Sequence, residues 1–135
     1  MRQAAAHSHS GERRERVPPD LEAMRHLAHR LLEPDSAPGA LPPPHAELGT
    51  LVLKLRTYLE LLVPKVEQAA LRIPENEIPR YCALACVGEA RGKLRVNPHP
   101  GVSAGVAHAR RLARVLHALC DHFESLIHHP AHCEA

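Results

Sequence analysis

The chain has 135 residues, with 17 Lys and Arg against 15 Asp and Glu and a formal charge of +2, so no strong net charge draws it to a polyanion. Two Tyr, one Phe and no Trp leave a core of Leu, Ala and Val, which favours helices and supplies no aromatic platform for stacking single-stranded bases. No run approaches about 18 uninterrupted apolar residues, which argues against a membrane-spanning helix, and the length suits one domain with a modest core.

Residues 1–17 are polar, charged and unpatterned, and read as a disordered arm. Their lack of an apolar run of signal-peptide length sets a cytoplasmic expectation, with reduced cysteines. A short helix is expected over 18–33, where Leu21, Met24, Ala28, Leu31 and Leu32 recur at three- and four-residue steps. Asp20 is its candidate N-cap and Pro34 its stop. Residues 34–45, PDSAPGALPPPH, hold five prolines and read as an extended linker.

A helical bundle domain is expected over 46–128. Its long first helix keeps Leu48, Leu51, Leu55, Leu59, Leu62, Val66, Ala69 and Ala70 on one stripe. Pro64 lies opposite that stripe, so the hydrogen bond it forfeits to Glu60 faces water; the alternative is two helices hinged at Pro64. The next helix is predicted from near Pro79 to about Arg95. The last runs from Ser103, a candidate cap, to about Ile127, with Val106, Ala109, Leu112, Ala113, Leu116, Leu119, Cys120, Phe123 and Ile127 in a near-heptad seam. The fold class is therefore all-α, an antiparallel helical bundle of three main helices plus a short N-terminal one, with a flexible tail over 129–135.

Reactive residue types concentrate in YCALACVGEARGKL, Tyr81 to Leu94. The spacing from Gly88 to Gly92 and the closing Leu94 do not make a phosphate loop, and Cys82 and Cys86 are one residue too far apart for a redox pair. Ile78, Tyr81, Cys82, Ala85, Gly88, Glu89 and Gly92 share one helical face, read as the packing face, while Ala83, Val87, Ala90 and Leu94 form a second apolar strip. A helix apolar on two sides is central in its fold or shared with a partner. Gly88 and Gly92, with Cys82 and Ala85, then permit close helix packing. Glu89 on that face calls for a cation, and Arg110 and Arg114 are candidates, with Tyr81 beside them as a ligand contact. Cys82, Cys86, Cys120, His128 and His132 are weak metal candidates, and Pro130 disrupts a helical metal site in the tail. No cofactor is implied.

The block LLVPKVEQAALRIPENEIPRYCALACVGEARGKL, followed by ARRLARVLHALCDHFESL, resembles a family of small actinobacterial proteins of unknown function labelled natural product biosynthesis proteins. The resemblance covers Leu51 to Leu126 and implies a source and a fold class rather than a mechanism. The expected function is a non-enzymatic interaction or accessory protein, with a protein partner or a homodimer. The alternatives are a small-molecule binder or enzyme with a pocket near Glu89, Cys82 and Cys86, and a DNA-binding regulator, which the charge and aromatic content disfavour.

Overall fold

A computed structural model describes residues 18–32, 45–97 and 101–133. The expected arm over 1–17 and nearly all of the expected linker lie outside the described residues. Four helices form the body: α1, Leu21–Leu32; α2, His45–Leu71; α3, Ile78–Arg95; and α4, Val102–Ile127. A single turn, α5, Pro130–Cys133, follows. No strand occurs among the described residues.

The helices alternate in direction. Arg25 of α1 meets Asp121 and Glu124 near the end of α4, whereas Arg110 near the start of α4 reaches Leu31 at the end of α1. Gly105 lies against Leu48, so α2 and α4 start together, and the tight turn from Leu71 to Ile78 reverses α3. Helix α4 is the centre, packing against each of the other three, and α2 meets it across the middle of the bundle. α1 and α3 cover its two flanks.

This arrangement follows from the distribution of side chains. α2 continues through Pro64, which is exposed, while Leu55, Leu59, Leu62, Val66 and Ala70 on the opposite side are fully buried. The missing hydrogen bond therefore costs little, because the Glu60 carbonyl it would have engaged lies on the solvent side. Asp20 caps α1 as its sequence suggests, accepting from the Ala23 N–H at 3.0 Å. α1 belongs to the core itself, since Met24, Leu27, Ala28 and Leu31 are buried within it.

Three details differ from expectation. α4 starts after Gly101, whose φ of 115° is a conformation open to glycine, so Gly101 rather than Ser103 is its N-cap. Its seam closes on Leu126, with Ile127 turned outward. Within 129–135, where a flexible tail is expected, Pro130 opens α5 because a first turn tolerates its missing donor. His129 Nδ1 accepts the Ala131 N–H at 3.1 Å, and its Nε2 stands 3.2 Å from Glu77 Oε2, tying this turn to the α2–α3 connection.

Arginines close three helix ends from a distance. Arg110 donates to the Leu31 carbonyl of α1, Arg80 to the Leu71 and Ile73 carbonyls beyond α2, and Arg56 to the Leu94 carbonyl of α3. Carbonyls left over at a helix C-terminus carry partial negative charge, and a guanidinium satisfies both their hydrogen bonding and their field.

Candidate interaction surface

Helix α3 has two apolar sides, and the fold buries the one read as secondary. Ala83, Cys86, Val87 and Ala90 are buried against α2 and α4, and Leu94 is partly buried there. Small side chains on that side let α3 lie close to its neighbours. The bidentate pair of Arg91 and Glu67, at 2.8 and 3.0 Å, then fixes its rotation against α2.

The other side faces solvent, which corrects its reading as the packing face. Ile78 and Tyr81 are each 75% exposed, and Cys82, Ala85, Gly88 and Glu89 are exposed with them. A methyl group built on Gly88 or on Gly92 would meet nothing within 4 Å, so among the described residues no other helix approaches either glycine. The glycine that does allow close approach is Gly105, where the same methyl would stand 3.0 Å from Leu48 Cδ2.

Glu89 is consequently no buried charge. Its carboxylate is 60% exposed and stands 3.8 Å from Lys93 Nζ, one turn along the same helix. The expected partners on α4 are elsewhere: Arg110 is turned to Leu31 on the α1 flank, and Arg114 is exposed. The residues of the expected small-molecule pocket are likewise not brought together, because Glu89 and Cys82 face solvent while Cys86 faces the core.

Cys82, Cys86 and Cys120 are free thiols. Burial pushes Cys86 up to about 11, aided by the nearby Glu89 carboxylate, and burial likewise raises Cys120 to about 11. Both stay protonated near neutrality and behave as small core hydrophobes. Among the described residues no three His, Cys, Asp or Glu side chains are grouped to hold a metal ion. His128 is exposed, and His132 lies on α5. No helix among the described residues is long and apolar enough to cross a membrane.

Two polar features escaped the sequence reading. His108 on α4 is only 4% exposed, its Nε2 has no hydrogen-bond partner, and its pKa is lowered by burial and by the charges of Arg56, Arg111 and Lys93. On the α1 side an open depression of about 350 Å³ is lined by Glu22, Arg25, His26, His29 and Arg30. Its arginines are already engaged, Arg25 by Asp121 and Glu124 and Arg30 by Glu47. The outward side of α3 thus presents Ile78, Tyr81, Cys82, Ala85 and Gly88, with the Glu89 carboxylate on the same face, while α2 exposes Leu53 and Leu61.

The profile of a family described as a family of unknown function (DUF6415) matches residues 22–127. No curated protein and no solved structure matches the chain.

Proposed function

We propose, for a chain that belongs to the DUF6415 family, a non-enzymatic helical interaction or accessory module whose docking surface is the outward strip of α3. One observation carries the reading: Ile78 and Tyr81, each three-quarters exposed, stand on a folded helix whose opposite side already fills the core. A large apolar side chain exposed singly is ordinary, but two on one strip beside further small residues mark a surface that another protein covers. The residues that carry chemistry support the non-enzymatic part, since the two thiols of highest burial are held protonated and Glu89 pairs with a neighbour on its own helix.

The resemblance of RYCALACVGEAR and ARVLHALCDHFESL to actinobacterial natural product biosynthesis proteins supports a place beside such a pathway or its regulation. A photo-reactive benzoylphenylalanine replacing Tyr81 in the full chain, expressed in its native host, tests the docking surface. Irradiation is expected to give a covalent protein adduct from position 81 and none from the same group placed at Arg114, which is exposed on α4. Equal adduct yields from the two positions, or no adduct from position 81, overturn the reading.

A further inference from the structure

The strip on α3 is graded in size along its length. Its first half carries Ile78 and Tyr81, its middle Ala85, and its second half Gly88 and Gly92, with Cys82 and Glu89 along the other edge. Ile78, Ala85 and Gly92 are spaced seven residues apart, so they run down the centre line of the strip. Tyr81 and Gly88 share one edge of it. Resting on the proposed docking surface, we infer that the occupant is a second copy of this chain, with the two α3 helices packed antiparallel about a two-fold axis at Ala85.

The geometry of that pairing follows from helix symmetry. Two antiparallel helices related by a two-fold axis between them keep each edge on its own side. An axis at Ala85 sets Ile78 opposite the partner's Gly92, and Tyr81 opposite the partner's Gly88. Each large side chain meets a glycine with free space above it, because a methyl at either glycine touches nothing in the chain itself. Ala85 faces the partner's Ala85, where a methyl permits close backbone approach. Both copies contribute both halves, which is what a self-complementary two-fold interface requires. A parallel pair would instead set Ile78 on Ile78 and Gly92 on Gly92, and turn the Tyr81 and Gly88 edge to the partner's Cys82 and Glu89 edge.

Area and field agree with this occupant. The 18 residues of α3 span about 27 Å, and a strip about one helix wide fits another helix better than the broad footprint of a globular partner. A strip about 27 Å long and one helix wide falls short of the roughly 800 Å² a side of a standard stable interface, so the dimer is reversible. Antiparallel helices also set the positive end of one dipole beside the negative end of the other.

Cysteine placement tests the register in the full chain. In a Cys82→Ser, Cys133→Ser background, Ala85→Cys is expected to form a covalent dimer on mild oxidation. A chain that keeps Cys82 and Ala85 and lacks Cys133 is expected to form none. In this register the two Cys82 positions are offset by six residues, about 9 Å along the axis, beyond the roughly 7 Å that a disulfide spans. A covalent dimer through Cys82, or none through Ala85→Cys, would break this register and overturn the inference. Gly88→Leu is expected to weaken dimerisation by about tenfold or more in sedimentation equilibrium. The melting temperature of the dilute variant should not fall, since the new side chain has open space in the monomer. A parent chain that stays monomeric at about 100 μM, a concentration that populates micromolar complexes, also sinks the second copy. Adducts from position 81 that contain only a different protein do the same while leaving the docking surface standing, whereas no adduct removes both.

Discussion

Gly105 of α4 lies so close to Leu48 of α2 that a methyl group on the glycine would stand 3.0 Å from Leu48 Cδ2. Gly88 and Gly92 of α3 have no such neighbour. Replacing glycine by alanine inside a helix ordinarily stabilises by about 0.5–1 kcal/mol. Gly88→Ala and Gly92→Ala are each expected to give that gain in urea denaturation of dilute protein. Gly105→Ala should give distinctly less, or a loss, because Leu48 must shift to admit the methyl. Equal gains at all three positions would contradict the close α2–α4 contact.

His108 makes stability depend on pH. Its imidazole is buried, its Nε2 has no partner, and burial, followed by the charges of Arg56, Arg111 and Lys93, lowers its pKa from the ordinary 6.5. The neutral form is the folded one. Above about pH 6.5 both folded and unfolded imidazoles are neutral and the full stability is present; as pH falls below that, the unfolded chain takes up a proton first and stability is lost until the folded pKa is passed. His108→Leu is expected to keep or raise stability at pH 7.5 by about 1 kcal/mol, because it removes an unsatisfied buried polar group. The difference in melting temperature between pH 7.5 and pH 5 should shrink. An undiminished difference assigns the acid sensitivity to other groups.

Glu67 and Glu89 have opposite standing despite lying on adjacent helices. The hydrogen bonds from Arg91 hold the Glu67 carboxyl below its ordinary range, whereas Glu89 has only an exposed pair with Lys93. Both partners of the Glu67 pair are about one-third exposed or more, so Glu67→Gln is expected to cost only about 0.5–1 kcal/mol near neutrality. A lowered folded pKa means that this contribution is present above the ordinary carboxylate pKa and disappears as pH falls through the folded value. Parent and Glu67→Gln should therefore converge in strong acid. Glu89→Gln should change the melting temperature at neither pH, and a marked drop would give Glu89 a structural role that its exposure does not explain.

Much of this fold is legible in the sequence, because long leucine stripes leave little choice of buried side. The Leu55, Leu59, Leu62 and Val66 stripe fixes α2 even through Pro64, and Leu112, Leu116 and Leu119 do the same for α4. α3 is the exception. Its two sides carry similar apolar content, so periodicity cannot say which one is buried, and the glycine pair Gly88 and Gly92 points to the side that faces solvent. Close helix contact selects the side with the smaller residues. His108 was hidden for a related reason, since a histidine on a helix flank looks polar until the neighbouring helix covers it. Gly105 leaves no pattern at all, because what matters there is an absent side chain.

The arginine caps are open to direct measurement. Arg80 donates to the Ile73 carbonyl at 3.0 Å and to the Leu71 carbonyl at 3.4 Å, and Arg110 to Leu31 at 3.3 Å. Arg80→Ala and Arg110→Ala are each expected to lose about 1.5 kcal/mol, the low end of the range for a hydrogen bond made by a charged group. Lysine at either position should recover only part of that, because it lacks the planar fork of donors. Full recovery by lysine would mean that charge alone supports these helix ends.

A helix that ends on a side chain borrowed from another helix has lost its freedom of length. Adding or deleting one turn at the end of α1, α2 or α3 would move the receiving carbonyls by about 5.4 Å, away from Arg110, Arg80 or Arg56. The donors are anchored in their own helices and cannot follow. The three arginines thus act as gauges for the chain, and natural length variation among its relatives should gather between the helices while the span of each helix stays constant.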